Sequence, residues 1–328
     1  MDGARGCRAT PTVSSSGTTG ERTTPERQIG LHRNQLHVPV SSVRHLVKQQ
    51  FPHWSDLPIE AVAAEGTVHA IFRIGHSLRA RFRLTLEDPR AASKTLAVEA
   101  KLATELAGAI TVASPLPVAI GAPGAHYPLP WSVYTWVDGA TATDACPEDS
   151  VDLADDLADL IADLRSVPLK GRSFEAHGPP RRGGNLADHN RWVQECLDRS
   201  EFLLQTGALR EMWQHLIRLP PHPFEVMSHG DLIPGNIVVA EGRLTGILDV
   251  GGFGAADPAL DLVSAWSLLE AQPRQRLRER LAPTELEWER SKAWAFQQAI
   301  GLVWYYEVSN PVMSRLGRQM LRRLQESA

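Results

Sequence analysis

The sequence has little cysteine and no long hydrophobic run. Its three cysteines, Cys7, Cys146 and Cys196, are far apart and form no CxxC pair, which argues against a disulfide framework or a zinc site and favours a reducing compartment. No apolar stretch reaches the roughly 18 residues that a membrane-spanning helix needs, and the N-terminus lacks the apolar segment of a signal peptide. We therefore expect a cytoplasmic protein with no membrane partner.

A strong charge of either sign is also missing. Thirty-four Lys and Arg residues against 38 Asp and Glu residues leave a formal net charge of -4, unlike the basic footprint of a nucleic-acid-binding protein. The composition, with 43% hydrophobic and 22% charged residues, excludes a disordered, collagen-like or coiled-coil chain. A length of 328 residues predicts about two lobes. We expect a small-molecule partner and no nucleic acid.

Residues 1–38 contain few side chains that could build a core. Between Asp2 and Gln28 the only large aliphatic residue is Val13, and Ser, Thr, Gly, Pro and Arg dominate. We predict a disordered tail over residues 1–38. The alternatives are a transit peptide, which is also rich in Arg, Ser and Thr, and a mis-assigned translation start.

Residues 39–137 mix helical and strand patterns. Ser41 or Ser42 is expected to cap the first helix, and in one strand apolar side chains alternate with arginines that include Arg81. The helices follow from apolar residues at helical spacing and the strands from short β-prone runs. The predicted helices cover residues 43–51 and 91–110, and the predicted strands cover residues 68–74, 78–84 and 131–137.

Residues 138–328 are predicted to be mostly helical. The exception is a hairpin of residues 237–239 and 244–248, which turns at Glu241 and Gly242. Together the two regions predict an α+β chain with a small antiparallel sheet lobe followed by a larger helical lobe. Apolar stripes predict helices at residues 151–164, 260–270, 285–306 and 310–325.

The densest polar motif brackets this hairpin. Asp231 is followed five residues later by Asn236, just before the first strand, and Asp249 ends the second strand. Because the strands of a hairpin bring their far ends together, Asn236 and Asp249 could face one cation, with Asp231 in front of it. Such hard oxygen ligands suit Mg²⁺ that is completed by phosphate oxygens, and the remaining carboxylate is free to accept a proton.

The sequence His-Gly-Asp-x-x-x-x-Asn ending at Asn236, the Ile-Leu-Asp ending at Asp249 and the Asp-Pro-Ala-Leu-Asp-Leu that begins at Asp257 resemble the aminoglycoside phosphotransferase family, relatives of the protein kinases. The resemblance implies a bilobal protein-kinase-like fold and ATP-dependent phosphoryl transfer with Mg²⁺. Asp231 matches the catalytic residue that orients and deprotonates the substrate hydroxyl, while Asn236 and Asp249 match the metal ligands.

Two further positions of these motifs are expected to support the site structurally. His229 matches a residue that usually braces the catalytic loop by hydrogen bonding, with a catalytic role as the alternative. Asp257 opens the third motif and is expected to support the same loop. Gly251, Gly252 and Gly254 are expected to permit the turn after the second strand, with phosphate binding as the alternative.

The N-terminal region has weaker signs of the same fold. Gly66 falls where the family's nucleotide-covering loop lies, although the full Gly-rich pattern is absent. Arg81 resembles the basic residue that binds ATP phosphates, usually a lysine, and Glu99 resembles its ion-pair partner; the alternative is solvated arginines and an edge carboxylate. Trp136 and Val137 resemble the hinge whose backbone holds the adenine, while packing in the core is the alternative for Trp136.

The family resemblance also implies an acceptor site, because its antibiotic kinases bind polycationic aminoglycosides through carboxylates of the helical lobe. Asp261 and Glu307 are the candidates for substrate contact, the latter because aromatic residues and a carboxylate together suit an amino sugar. Asp261 has a second possible role in bracing the catalytic loop. Other acids have the solvated face of a helix as their alternative: Asp152, Asp155, Asp156, Asp159, Asp163, Asp188, Glu195 and Glu270.

The expected function is ATP- and Mg²⁺-dependent phosphorylation of a small-molecule hydroxyl, with an aminoglycoside-like antibiotic as the leading acceptor. A macrolide or a small host metabolite is the alternative acceptor. A non-catalytic kinase-like binding module is the third hypothesis, although all three motif residues that catalysis needs are present.

Overall fold

The computed structural model describes residues 36–62, 68–175 and 182–327 of a bilobal α+β protein. The N-terminal lobe is built on a five-stranded antiparallel sheet in the order β1-β2-β3-β5-β4. Its strands are β1 (Ile59–Val62), β2 (His69–Ile74), β3 (Leu78–Arg83), β4 (Pro117–Gly121) and β5 (Trp131–Thr135), and its helices are α1 (Val40–Gln50) and α2 (Pro89–Ala107).

The central strand β3 of this sheet is buried on both faces. In β3, Ala80 and Phe82 are fully buried in a core with Trp131, as the alternation of apolar residues predicts. The opposite face carries Arg79 and Arg81, which are only 8% and 5% exposed. The strand arginines are therefore not solvated, and their burial requires carboxylates nearby.

The C-terminal lobe is mostly helical and has one large core that includes Trp213, Trp266 and Trp294. A three-stranded sheet, β6-β8-β9, and a two-stranded sheet, β10-β7, lie within it. Its strands are β6 (Ala140–Thr141), β7 (Val226–Ser228), β8 (Ile237–Ala240), β9 (Arg243–Ile247) and β10 (Gly254–Ala256). Its helices are α3 (Ala142–Ala145), α4 (Val151–Ser166), α5 (Asn190–Arg199), α6 (Thr206–Leu216), α7 (Val263–Ser267), α8 (Ala271–Leu281), α9 (Glu285–Tyr305) and α10 (Pro311–Glu326).

A backbone contact joins the two lobes beside the hairpin of β8 and β9. Ala113 accepts a hydrogen bond from the Ile247 amide at 2.9 Å and donates one to the Thr245 carbonyl at 3.1 Å. The hairpin turns at Glu241 and Gly242, both with positive φ (52° and 75°), which is the backbone of a tight two-residue turn. The end of the hairpin that carries Asp249 is thereby held against the N-terminal lobe.

Several local predictions are wrong. The first helix begins at Val40, after Pro39, and neither Ser41 nor Ser42 caps it. The apolar run at residues 260–270 forms only the short helix α7, because Asp261 precedes it with its side chain bonded to another loop. Five strands, β1, β4, β6, β7 and β10, were not predicted.

The segment predicted as a disordered tail falls mainly on residues 1–35, outside the described residues. Folded structure begins before residue 39, because the Leu36 amide donates to the Leu84 carbonyl at 2.7 Å and Val38 is buried. Cys196 is a buried free thiol, whereas Cys146 is disulfide-bonded, so the expectation of reduced cysteines is wrong at Cys146. None of the helices in the described part of the chain combines the length and the apolar character needed to cross a membrane.

Candidate active site

The loop after β7 presents Asp231. Gly230 adopts a φ of +79°, a conformation that glycine reaches without strain, and the chain turns there. Both oxygens of the Asp261 carboxylate accept backbone amides of this loop, from His229 at 3.1 Å and from Gly230 at 3.0 Å. Asp261 is 2% exposed, so its side chain braces the loop and is turned away from any acceptor.

The hairpin brings Asn236 and Asp249 to the same end. Ile237 pairs with Ile247, and beyond that pair the Leu248 amide donates to the Asn236 carbonyl at 2.8 Å. The Asn236 Nδ2 donates to the Asp231 carbonyl at 3.0 Å, which leaves the amide oxygen available to a cation. The prediction that the hairpin places these residues together is therefore correct in its geometry.

His229 links the two halves of this motif. It is fully buried, and its Nε2 lies 3.0 Å from the Leu248 carbonyl, next to Asp249. A Cβ on Gly252 would lie 2.8 Å from the His229 carbonyl, so the turn after Asp249 requires glycine where the two backbones meet. These contacts give His229 a supporting position.

Arg81 of β3 lies between two carboxylates. Its Nη1 is 3.6 Å from Glu99 Oε2 on α2, and its Nη2 is 3.4 Å from Asp249 Oδ1. The same Nη2 is 3.4 Å from the His69 Nδ1. The strand-to-helix pair predicted for Arg81 and Glu99 thus forms, and it extends to the Asp249 carboxylate across the cleft.

Burial and charge act differently on these groups. Burial raises the pKa of Glu99, although the Arg81 guanidinium opposes it. Burial also acts to raise the pKa of Asp249, but Arg81, His69 and Arg79 outweigh it and hold that pKa below its usual value. Burial, with Arg81 beside it, lowers the pKa of His69 to about 3. Asp249 is therefore a carboxylate and His69 is neutral at physiological pH.

Asp231 has a cationic neighbour that the motif analysis missed. Arg182 lies in the segment before α5, and its Nη1 is 2.9 Å from Asp231 Oδ1. Burial raises the pKa of Asp231, and the nearby Arg182 opposes that shift. Arg182 sits in a stretch with neither helical nor strand periodicity, so only the Gly183-Gly184 pair beside it marks a turn in the sequence.

The third motif anchors the site to helix α9. Asp257 is buried, and its carboxylate receives hydrogen bonds from the Arg290 guanidinium and, at 3.0 Å, from Trp294 Nε1. Its other oxygen accepts the Ala259 amide at 3.0 Å. A buried, multiply bonded carboxylate of this kind fixes the position of the chain around it, which agrees with the supporting role expected of Asp257.

Trp136, in the predicted hinge, contacts Ser77 and Arg73 of the N-terminal lobe. The Trp136 amide donates to the Ser77 carbonyl at 2.7 Å, and the Arg73 guanidinium lies 4.4 Å from the centre of a Trp136 ring. Val137 is 7% exposed. The Trp136 ring thus has an arginine on one face, which supports a packing role. Gly66 lies outside the described residues.

The acids considered for substrate contact are mostly paired with arginines. Glu307 accepts Arg318 at 2.6 Å and Ser314 at 2.8 Å, so its carboxylate is already satisfied. Asp188 is exposed and forms no ion pair within the ranges that the structure covers. The paired acids and their partners are Asp155 with Arg276, Asp156 with Arg243, Asp159 with Arg280, Glu195 with Arg199, and Glu270 with Arg322 and Arg323.

The residues fit a magnesium ion only together with a phosphorylated ligand. Asn236 offers an amide oxygen and Asp249 a half-exposed carboxylate, both hard donors. Among the described residues there is no cluster of three or more His, Cys, Asp or Glu that could hold a metal alone. Mg²⁺ commonly uses one or two protein ligands and completes its shell with water and substrate phosphates, so this donor set suits it.

Comparisons with known proteins agree with the geometry. The APH model, described as "Phosphotransferase enzyme family", matches residues 60–294, which is more than half of the chain. An aminoglycoside 3'-phosphotransferase of Escherichia coli is 30% identical over 146 residues, 42% of this chain and 52% of that protein. One of Streptomyces fradiae is 29% identical over 154 residues, 45% of this chain and 56% of that protein. The chain thus spans about half the length of the curated relatives it matches.

Solved structures show the same fold at low identity. An aminoglycoside 2'-phosphotransferase-IIIa in complex with GDP has a TM-score of 0.66 at 19% identity, covering 89% of this chain and 100% of that one. A macrolide 2'-phosphotransferase from Brachybacterium faecium has a TM-score of 0.57 at 18% identity, covering 84% and 97%. With the family model matched across both lobes and the three motifs assembled around one cleft, the chain belongs to the APH phosphotransferase family.

Proposed function

We propose that this chain transfers the γ-phosphoryl group of ATP to a hydroxyl of a small molecule, with Mg²⁺ held by Asn236 and Asp249. The observation that carries the proposal is the convergence of Asp231, Asn236 and Asp249 at one end of the hairpin formed by β8 and β9. Bound Mg²⁺ and ATP supply the activated phosphoryl group and neutralise part of its charge. A cytoplasmic location, where ATP is available, belongs to the same proposal.

Asp231 is the general base in this proposal. A quarter of its side chain is exposed (24%), so an acceptor hydroxyl can reach the carboxylate from the cleft. Its pKa is raised by burial, which makes it a stronger base than a fully solvated aspartate. The bracing of His229 and Gly230 by Asp261 fixes the loop, so little reorganisation is needed when the acceptor binds.

Arg81 is placed to position the nucleotide phosphates. It contacts Asp249 from the N-terminal lobe, so its guanidinium lies beside the proposed metal site. Glu99 holds it from behind on α2. An arginine in this position can grip a phosphate through two parallel hydrogen bonds, which a lysine cannot do.

The leading acceptor is an aminoglycoside-like antibiotic, because this chain matches about half the length of relatives named aminoglycoside 3'-phosphotransferase. A macrolide is the second candidate acceptor, since macrolide phosphotransferases share the fold. The paired state of the acidic candidates means that a polycation would have to displace arginines from them. A host amino sugar or small alcohol completes the set of acceptors.

The test is phosphate transfer from radiolabelled ATP, with and without Mg²⁺, to a panel of aminoglycosides, macrolides and small sugars. The wild-type protein is expected to label at least one acceptor, and Asp231→Asn is expected to lose that labelling while it keeps its melting temperature. Arg280→Ala, which removes an exposed ion pair far along α8, serves as the matched control. Labelling that survives in Asp231→Asn would refute the proposed mechanism.

A further inference from the structure

Arg182 stands in the candidate active site without a role in the chemistry proposed above. Its Nη1 lies 2.9 Å from Asp231 Oδ1 and also donates to the Gln298 side chain on α9. The Asp231 Oδ1 atom is buried and accepts no geometrically aligned hydrogen bond from the described residues, so the contact with Arg182 is ionic. A cation is therefore held beside the base by charge and can be redirected by a stronger anion.

The chain around Arg182 is fixed by buried groups. Gly183 has a φ of +114° and its carbonyl lies 2.9 Å from the His189 Nε2. The His189 ring packs edge-on against Trp294, with 5.3 Å between ring centres. Trp294 in turn donates to Asp257 of the third motif. Arg182 is thus tied to the same network that supports the catalytic loop.

One edge of the Arg182 guanidinium is available to a ligand. Its recorded contacts within residues 36–62, 68–175 and 182–327 all use Nη1, and the side chain is 41% exposed. Nε and Nη2 make no hydrogen bond or ion pair with the described residues, so they remain a pair of parallel donors for a ligand. This planar pair matches two oxygens of a phosphate, which is the geometry of bidentate arginine–phosphate contacts.

Resting on the function proposed above, we propose that Arg182 is a catalytic residue that binds the phosphoryl group in transit. In the step, the bond from the acceptor oxygen to the γ-phosphorus forms, and the bond from the γ-phosphorus to the bridging oxygen breaks with its electron pair remaining on ADP. The acceptor proton passes to the Asp231 carboxylate. Arg182 presents its free edge, Nε and Nη2, to the equatorial oxygens of the phosphoryl group.

Arg182 is better placed for this role than Arg81. Arg81 is 5% exposed and lies between Glu99 and Asp249, so its charge is already balanced by two carboxylates. Among the described residues Arg182 pairs with one carboxylate, Asp231. Its charge is therefore less fully balanced than that of Arg81 and is available where negative charge spreads over the transferred group.

The test measures binding and needs no acceptor. Isothermal calorimetry compares the affinity for Mg-ADP with that for Mg-ADP plus aluminium fluoride, which imitates the phosphoryl group in transit. In Arg182→Ala we expect unchanged affinity for Mg-ADP and an affinity for the fluoride complex that is about 100-fold weaker. Arg182→Lys, which keeps the charge but loses the fork, should recover part of that loss.

Arg280→Ala is the control, because Arg280 is also 41% exposed and its shortest ion pair is also with an aspartate, Asp159, while Asp155 lies farther away at 3.9 Å. It should leave both affinities at the wild-type values. Equal losses for both ligands in Arg182→Ala, no loss for either, or tighter binding of the fluoride complex would each overturn the inference. So would a wild-type protein that binds Mg-ADP but gains nothing from fluoride. A wild-type protein that fails to bind Mg-ADP at all would instead refute the proposed function.

Discussion

The active site holds two arginine–carboxylate contacts that differ in burial and in freedom. Arg81, on a strand, is 5% exposed and lies between Glu99 and Asp249. Arg182, beside Gly183 and Gly184, is 41% exposed and contacts Asp231 and the Gln298 side chain. A buried pair loses several kcal/mol when one partner is removed, while an exposed pair contributes about 0–1 kcal/mol. The comparison predicts that Arg81 contributes to the stability of the fold, whereas Arg182 contributes little to stability and serves the chemistry proposed for it.

The largest effect is expected from the carboxylate that Arg182 contacts. Asp231→Asn removes the proposed general base and should lower kcat by about 10²–10⁴-fold, the usual contribution of general-base catalysis. The acceptor KM should change little, because the amide keeps the size of the side chain. Steady-state kinetics with an acceptor found by the panel give both constants, and a kcat within the wild-type range would contradict the assignment.

The buried contact should have the larger effect on folding. Arg81→Met leaves Glu99 and Asp249 without their cation and should destabilise the protein, at the lower end of the usual range of about 3–5 kcal/mol because Asp249 is half exposed. Urea unfolding followed by circular dichroism measures this. Arg81→Lys should lose less unfolding free energy than Arg81→Met. If Arg81→Met is as stable as the wild type, Arg81 does not stabilise the fold.

The pH dependence of protein stability tests whether the folded state favours protonated Glu99. Its pKa is raised above the ordinary value of 4.5, chiefly by burial, so the folded state favours the protonated form. Protonated Glu99 contributes its full stabilisation at pH values below the ordinary pKa. This contribution is lost as the pH rises through the raised pKa of the folded state. Glu99→Gln cannot ionise, so its stability should increase relative to wild type over that interval. A stability difference that stays constant with pH would contradict this account.

The smallest effect on folding is expected at the exposed contact. Arg182→Ala should change the free energy of unfolding by less than about 1 kcal/mol, as for other exposed pairs. The same urea titration tests it, with Arg280→Ala beside it as the loss of an arginine of equal exposure. A loss as large as that of Arg81→Met would show that the two arginines do not differ in the way proposed.

The contrast between Arg81 and Arg182 also explains which parts of the site could be predicted from the sequence. Asp231, Asn236 and Asp249 lie at fixed spacing around a hairpin, so their convergence follows from local geometry. Arg81 and Glu99 lie on regular elements, whose periodicity shows which side chains share a face. Arg182 lies on a segment without periodicity, and its approach to Asp231 depends on Gln298 of helix α9, which is distant in sequence.

The pairing of the acids considered for substrate contact could not be predicted for a related reason. Glu307 and the acids of α4 have the right charge, but their partners come from α8, α10 and β9. Sequence composition cannot show that an acidic stripe faces an arginine-bearing element, because that depends on how helices pack. For Asp261 the sequence offered both roles, and only its two backbone contacts show which one the fold uses.

The most direct test of the two-arginine comparison is calorimetry of Mg-ADP, with and without aluminium fluoride, on Arg81→Lys and Arg182→Ala side by side. Our account predicts that Arg81→Lys weakens both complexes by similar factors, because Arg81 holds the phosphates in every state. It predicts that Arg182→Ala weakens only the fluoride complex. The same pattern of losses in both variants would contradict it.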